Sequence, residues 1–338
     1  MKHFIASILS FSIFIITGCS LLGDKSANGF DEILHNPPFK GITDSIEKAP
    51  GDASLLLRRA DLLSQNNQHD IAYYDFKKSY ELKPDETTAI LYASNLFLTG
   101  RTKDAIVLLK KCMRQYPSNT EFIRRLSEAY AQAGESEQAL ALYDELLKKD
   151  STNFDALHEK GMLYVQLNDT PHAITVLEKA YRLQPVLQNG IALANLYAET
   201  KNPKVIPLCD ALEQRDSAKE FIDPLFLRGV YYSNTKDYPK AIGIFDECIA
   251  RDWKFVEPYL EKGIIFFEQK NYDEAIKTFQ VVTNIHYTNP DAYYWMGRCY
   301  EAIGKKDEAL DYYYKAAAFD RNFQQARDAI NRLKKGDK

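Results

Sequence analysis

Small and large apolar residues recur along this chain with a period of 34 residues. Within each period, positions 4, 7, 8 and 11 form one apolar stripe with the i, i+3, i+4, i+7 spacing of an α-helix, and positions 20, 24 and 27 form a second stripe. The pattern therefore predicts two amphipathic helices per period. Because such a hairpin cannot cover its own apolar face, it must stack on copies of itself.

Two positions of the period are reserved for small residues. Position 20 is alanine in seven units, at Ala72, Ala105, Ala139, Ala173, Ala241, Ala275 and Ala309. Position 8 is occupied by Ala60, Ala93, Ser127, Gly161, Gly229, Gly263 and Gly297. Small residues let two helix backbones approach closely where they cross, and larger side chains would overpack the crossing. We expect both positions to be buried.

Turn and cap residues stand at the expected helix ends. Gly100, Gly134 and Gly304 fall between the two predicted helices of their units, where a left-handed residue ends a helix at least cost if it is glycine. The run Asn289-Pro290-Asp291 combines an N-cap, a proline at the first helical position and an acid in the first turn. These residues predict where the helices begin and end.

The period divides the chain into repeats and flanking segments. The predicted repeats are 53–85, 86–119, 120–153, 154–187, 188–221, 222–255, 256–289 and 290–323. Residues 38–52 predict a capping half-repeat with Phe39, Ile42 and Ile46 on one face, and residues 324–338 predict a capping helix. Capping elements with a polar outer face keep a repeat array soluble.

The unit 188–221 departs from the pattern. It has Pro203 and Pro207 and lacks alanine at position 20. Proline inside a helix removes a hydrogen bond and strains the preceding turn. Two interpretations follow from these residues: a tolerated irregular unit, or a bend that divides the array into 53–187 and 222–323.

The spacing of these residues resembles the tetratricopeptide repeat family over residues 53–323. The resemblance implies an all-α, right-handed superhelical solenoid of about eight helical hairpins with terminal capping helices. In that family the first helices line a concave groove. Members are mostly non-catalytic scaffolds that bind proteins or peptides, so we expect no enzymatic activity.

The resemblance also implies which residues face the groove, namely positions 2, 5, 9 and 12 of each first helix. The candidates chosen from these positions are His158, Met162, Phe226, Val230, Leu260, Ile264, Phe267, Tyr294 and Arg298. The chain gives little of the clustered Lys, Arg and Asn that a carboxylate clamp needs, because Arg124 and Arg298 are each accompanied by acidic residues. The candidates either form an apolar trough that accepts a helix or an extended segment with aromatic or aliphatic anchors, or pad neighbouring helices.

The N-terminus predicts export and anchoring. Lys2 precedes an apolar run from Phe4 to Ile16 that is too short to span a bilayer, as in a signal peptide. The following residues end in Gly18-Cys19 and resemble the lipobox of bacterial lipoproteins, which implies cleavage after residue 18 and acylation of Cys19. Residues 19–37 are predicted to be a flexible tether. By resemblance, serine after the cysteine favours the outer membrane with the array in the periplasm; the face of the membrane stays open.

The net charge, the cysteines and the absence of catalytic motifs limit which ligands and reactions the sequence predicts. The net charge of −4 gives no electrostatic reason to expect a nucleic-acid partner. Cys112, Cys209, Cys248 and Cys299 are expected to be free, buried thiols. Because the sequence contains no CxxC, HExxH or GxSxG motif, no catalytic residue, metal site or cofactor is predicted.

These features together predict a membrane-anchored scaffold that binds envelope proteins or peptides through its groove. Two alternatives remain open at this point. The chain could be a structural subunit of an outer-membrane assembly or secretion complex, or it could be an envelope enzyme or the obligate cofactor protein of one.

Overall fold

The computed structural model describes residues 26–216 and 221–335, and within these ranges every regular element is an α-helix. The predicted signal peptide and Cys19 lie outside the described residues. The chain divides into two compact units, Met1–Asp144 and Glu145–Lys338. The boundary falls within the helix Ser136–Lys149.

Unit 1 begins with two short helices and continues with hairpins. Its helices are α1 Ser26–Leu34, α2 Lys40–Lys48, α3 Ala53–Gln65, α4 His69–Leu82, α5 Glu86–Leu98, α6 Thr102–Gln115, α7 Thr120–Gln132 and α8 Ser136–Lys149. In the α3–α4 hairpin, Arg59 and Asp75 form a bidentate ion pair with N–O distances of 2.6 and 2.8 Å. Arg59 also donates to the Thr43 hydroxyl, which ties α2 to the first hairpin.

Unit 2 holds the remaining hairpins and the last helix. Its helices are α9 Phe154–Gln166, α10 Thr170–Leu183, α11 Leu187–Glu199, α12 Val205–Arg215, α13 Asp223–Asn234, α14 Tyr238–Arg251, α15 Glu257–Glu268, α16 Tyr272–Ile285, α17 Pro290–Ala302, α18 Lys306–Phe319 and α19 Gln324–Lys335. Neighbouring first helices also touch: α13 contacts α15, and α15 contacts α17. Two helices correspond to each predicted interval from 53 to 323, but α11 begins at Leu187, one residue before the interval 188–221, and the outer limits of the intervals remain predictions.

The small positions of the period are buried, as predicted. All seven alanines at position 20 are fully buried, and so are Ala60, Ala93 and Ser127 at position 8. Where position 8 is glycine, it faces the large residue at position 24 of the same unit: a Cβ on Gly161 would lie 2.6 Å from Leu177, and one on Gly297 would lie 2.7 Å from Tyr313. The crossing of the two helices thus sets the size of both residues.

The turn between the two helices of a hairpin contains a left-handed residue. Gly100, Gly134 and Gly304 have φ values of 68°, 77° and 80°, which confirms the predicted left-handed ends. Other units place a non-glycine residue in the same turn, at Asn67, Asn168, Lys201, Lys236 and Lys270. The turn therefore requires the conformation even where the sequence does not supply the residue that adopts it most easily.

Side-chain caps fix the starts of several first helices. Asn289 accepts a hydrogen bond from the backbone N–H of Ala292 at 2.9 Å, which confirms the predicted cap of α17. Asn153 caps α9 in the same way through Ala156. The helices α13 and α15 begin without a side-chain cap. In the turn before α15, Phe255 stands at the position that Asn289 occupies before α17.

The irregular unit still forms a hairpin. Pro207 is the third residue of α12, within the first turn, where backbone N–H groups have no partner inside the helix. The helix has 11 residues, against 14 in α14 and α16. Both α11 and α12 contact α13 within unit 2, and the boundary between the two compact units lies in α8 rather than at this repeat.

Part of the predicted tether is ordered, which corrects the prediction for residues 26–34. These residues form α1, and the ring of Phe30 lies 6.0 Å from that of Tyr74. Just beyond the helix, the His35 side chain forms a 2.9 Å hydrogen bond with Glu47. The prediction failed because the apolar contacts of a nine-residue helix come from another helix and leave too short a pattern to recognise.

The last helix packs against α18, and the cysteines are buried thiols, as predicted for them. In α19, Ala326 and Ile330 are buried, and Leu333 packs against the core formed with α18. The four cysteines of the described region, Cys112, Cys209, Cys248 and Cys299, are buried free thiols. Among the helices of residues 26–216 and 221–335, none has the length and apolarity needed to cross a membrane.

Candidate functional site

Two of the nine predicted groove residues are buried in the core, which corrects their assignment. Phe226 is 1% exposed and Leu260 is 3% exposed. The ring of Phe226 packs against Phe245 at 5.8 Å and against Phe255 at 5.2 Å. Phe255 stands in the turn before α15, at the position where Asn153 and Asn289 cap the equivalent helices α9 and α17, and its ring lies against Phe226. No ligand can reach Phe226 without unfolding this contact.

The other seven predicted residues are half-buried on first helices of unit 2. They are His158, Met162, Val230, Ile264, Phe267, Tyr294 and Arg298. His158 is engaged within the protein: its ring stacks on Phe154, and its Nδ1 forms a hydrogen bond with the Asn189 side chain of the next first helix. His158 therefore has less capacity to hold a ligand than the residues of α15 and α17.

Three rings surround the guanidinium of Arg298, and we call this group the aromatic cradle. The Cζ of Arg298 lies 5.1 Å from the ring centre of Phe267, 5.4 Å from that of Trp295 and 5.9 Å from that of Tyr294. All three distances are within the range of cation–π attraction. Arg298 also donates a hydrogen bond to the Tyr294 hydroxyl at 3.3 Å.

The cradle joins two repeats. Phe267 ends α15, whereas Tyr294, Trp295 and Arg298 lie on α17, and the rings of Phe267 and Trp295 meet edge to face at 5.3 Å. Trp295 was not predicted, because position 6 is not among the groove positions implied by the resemblance. Its place next to Tyr294 and one turn before Arg298 is the signal that could have found it.

Burial raises the pKa of three carboxyl groups near the starts of α15 and α17. Burial raises the pKa of Glu261 to about 7, with a smaller contribution from repulsion by Glu268. The pKa values of Glu257 and Asp291 are raised mainly by burial and secondarily by repulsion from neighbouring carboxylates. These acids lie on the same helices as the cradle but toward the other end.

The described residues contain no group of His, Cys, Asp and Glu side chains arranged to hold a metal ion. The cradle places an arginine among three aromatic rings, and arginine and aromatic side chains are the residues that most often anchor a binding interface.

Comparison with family models finds tetratricopeptide repeats in both units. One model, "Tetratricopeptide repeat", matches residues 96–160, and a second with that description matches residues 154–186 and 290–323. A third, "TPR repeat", matches residues 263–304.

The chain is similar to segments of larger proteins. It is 23% identical over 290 residues to the Protein CTR9 homolog of Arabidopsis thaliana, a match that covers 81% of this chain and 26% of that protein. It is 28% identical over 173 residues to Protein O-mannosyl-transferase Tmtc3 of Drosophila melanogaster, covering 48% of this chain and 18% of that protein. The matched segments are thus about a quarter or less of the length of these relatives.

Similar solved structures include a tetratricopeptide repeat protein from Parabacteroides merdae, with 15% identity, a TM-score of 0.49 and coverage of 83% of this chain and 98% of that chain. A second is the Cut9-Hcn1 hetero-tetramer of APC/C, with 16% identity, a TM-score of 0.47 and coverage of 88% of this chain and 59% of that chain. A third is YrrB, described as a TPR protein with an unusual peptide-binding site, with 19% identity, a TM-score of 0.33 and coverage of 66% and 97%. The family models identify residues 96–186 and 263–323 as tetratricopeptide repeats, and the described residues have the all-α fold of stacked tetratricopeptide hairpins.

Proposed function

We propose that this chain is a lipid-anchored, non-catalytic scaffold that binds a protein or peptide of the bacterial cell envelope on the first-helix face of unit 2. We define that face by Val230, Ile264, Phe267, Tyr294, Trp295 and Arg298, which lie on α13, α15 and α17. The supporting observation is that apolar and aromatic side chains on successive contacting helices stay partly accessible here. Contiguous apolar surface that a fold leaves open commonly marks an interaction site.

The fold class supports the same proposal. Stacked helical hairpins present a row of parallel first helices, so a ligand segment can contact equivalent positions of several repeats at once. Among the similar structures, Cut9-Hcn1 is a complex of two proteins and YrrB has a peptide-binding site. An amphipathic helix or an extended segment with aliphatic or aromatic anchors is the ligand shape that fits such a row.

A photo-crosslinking amino acid placed in the living cell tests the binding face. We expect Ile264, replaced by a benzophenone amino acid, to crosslink to one or a few envelope proteins. The matched control replaces Gly243, which is exposed on the second helix α14. Equal crosslinking from both positions, or crosslinking from position 243 alone, would place the partner elsewhere. A stoichiometric complex that survives detergent would favour the alternative of a subunit in an outer-membrane assembly or secretion complex.

Cys19 carries the anchoring part of the proposal, since Ile16-Thr17-Gly18-Cys19 matches a lipobox. Acylation by more than one chain would hold the protein stably on a membrane, whereas a single chain holds it only marginally. We expect Cys19→Ala to abolish incorporation of a labelled fatty acid and to release the protein from washed membranes. Ser20→Asp is the matched variant: it should keep the label and test whether the residue after the cysteine directs the protein to the outer membrane. Normal labelling of Cys19→Ala would rule out this anchor.

A further inference from the structure

Arg298 and Arg332 occupy the same position of the period, 34 residues apart, but within residues 26–216 and 221–335 only Arg332 has a counterion. Arg332, on α19, donates through Nη2 to both carboxylate oxygens of Glu301, at 2.5 and 2.7 Å. Glu301 also accepts a 2.5 Å hydrogen bond from the Tyr313 hydroxyl. The charge of Arg332 is thus neutralised by the first helix of the preceding unit.

The position that could supply the same kind of counterion to Arg298 holds an aromatic residue. The position equivalent to Glu301 one period earlier is Phe267. A phenyl ring attracts the guanidinium but accepts no hydrogen bond from it. No carboxylate of residues 26–216 and 221–335 forms an ion pair with Arg298, whose single side-chain hydrogen bond goes to the Tyr294 hydroxyl.

This environment prepares Arg298 for an external anion. Stacking on rings orients the planar guanidinium while its N–H groups, which lie in that plane, stay able to donate. A partly buried charge without a counterion is unfavourable, and a carboxylate that accepts two parallel hydrogen bonds is the partner that matches its geometry. An incoming carboxylate would supply to Arg298 what Glu301 supplies to Arg332.

We propose that the aromatic cradle binds a single peptide carboxylate next to an aliphatic or aromatic side chain. The carboxylate contacts Arg298, and the neighbouring apolar side chain packs against Phe267 and the half-buried Ile264. The proposal rests on the proposed function and specifies the ligand chemistry of its binding face. A C-terminal carboxylate and the side chain of Asp or Glu share this chemistry.

The acids on the same helices limit the ligand to an isolated negative charge. Asp291 precedes Arg298 by two helical turns, about 10 Å along α17, and Glu257 and Glu261 lie in the first two turns of α15. A run of carboxylates that extended from Arg298 in that direction would meet these groups and be repelled. The site therefore distinguishes one carboxylate among apolar residues from a polyacidic segment.

Labelled peptides and the full-length chain test this inference by fluorescence polarisation. The reference peptide is Leu-Phe-Gln-Leu-Phe with an amidated C terminus. Its acidic counterparts are Leu-Phe-Glu-Leu-Phe amide and Leu-Phe-Gln-Leu-Phe with a free C terminus, which separate the two sources of the carboxylate. We expect at least one acidic peptide to bind about tenfold more tightly than the reference, and a peptide with three consecutive Glu residues to show no further gain.

Three variants connect the preference to Arg298. Arg298→Gln should remove the difference between acidic and neutral peptides. Phe267→Glu should do the same in a folded protein, because it gives Arg298 the internal partner that Arg332 already has. Arg332→Gln is the matched control and should leave the preference intact. Thermal melting of each variant establishes that it is folded.

The outcomes separate this inference from the proposed function. Equal binding of the acidic and neutral peptides, or a preference that persists in both Arg298→Gln and Phe267→Glu, would overturn the carboxylate site. Failure of both acidic peptides to bind would also overturn it. In each case, crosslinking from position 264 decides the binding face independently.

Discussion

A Cβ atom on Gly263 would lie 2.4 Å from Cε1 of Phe279. Gly263 belongs to the first helix α15 and Phe279 to the second helix α16 of the same hairpin, and the ring is fully buried. The buried ring of Phe279 therefore fills the space next to Gly263 and has no free volume into which it could move.

This contact predicts that Gly263→Ala destabilises the protein, although alanine is the better helix former. Overpacking a buried contact costs about 1–3 kcal/mol, which exceeds the gain in helix propensity. The control is Gly243→Ala in α14, where an added Cβ would meet no atom within 4 Å. That variant should gain about 0.5–1 kcal/mol. Chemical denaturation measures both, and a stabilised Gly263→Ala would show that the helices can separate at this crossing.

At the turn residue Lys270, by contrast, we expect a change to glycine to stabilise the protein. Lys270 is exposed and has φ of 63°, whereas Gly304 has φ of 80° at the equivalent position one period later. The left-handed conformation costs an L-residue roughly 1 kcal/mol or more. We expect Lys270→Gly to raise the free energy of unfolding by about 0.5–1 kcal/mol and Gly304→Lys to lower it by a similar amount. Changes of the same sign in the two variants would contradict this explanation.

Glu261 predicts a pH-dependent stability. Its pKa in the folded protein is raised to about 7, mainly by burial, so the native state keeps a proton that the unfolded chain releases above its ordinary pKa. The contribution of this group is therefore favourable below the unfolded pKa and is lost as the pH rises toward and through 7. The effect of Glu261→Gln on the free energy of unfolding should be more favourable at pH 8 than at pH 4.5 by about 1–3 kcal/mol. This range is lower than the full pKa shift implies, because the side chain is partly exposed to solvent.

Denaturant unfolding at both pH values measures this difference. The control is Glu308→Gln, at an exposed position of α18, which should change stability by less than about 0.5 kcal/mol at either pH. If Glu261→Gln changed stability equally at pH 4.5 and pH 8, the proton on Glu261 would have no part in folding.

Phe226 predicts a folding defect rather than a binding defect. Because its ring is enclosed by Phe245 and Phe255, Phe226→Ala should lower the free energy of unfolding by about 3–5 kcal/mol. Val230→Ala, one turn later on α13 at a half-buried position, should cost about 1 kcal/mol and serves as the comparison. Circular dichroism during thermal melting distinguishes the two variants. Nearly unchanged melting of Phe226→Ala would show that Phe226 is not part of the core.

The sequence by itself determined the helical hairpin and its repetition. Ala275 and Gly297 were placed at helix crossings, and Asn289 at a helix start, because these features depend on contacts within one repeat, where spacing along the chain decides which residues meet. The same reasoning located Cys248 in the core. The short helix α1 was missed because its contacts, such as Phe30 with Tyr74, come from residues far away in the sequence.

Only the tertiary structure decided which first-helix residues remain available to a ligand. The family pattern treats Phe226 and Phe267 as equivalent groove candidates, but a neighbouring turn covers the first with Phe255, whereas the second lies against Arg298 and Trp295. Likewise, Arg298 and Arg332 occupy the same position of the period, but the preceding unit places the Phe267 ring next to the first and the Glu301 carboxylate next to the second. Accessibility and charge neutralisation depend on side chains from several helices at once, and a linear period does not encode that arrangement.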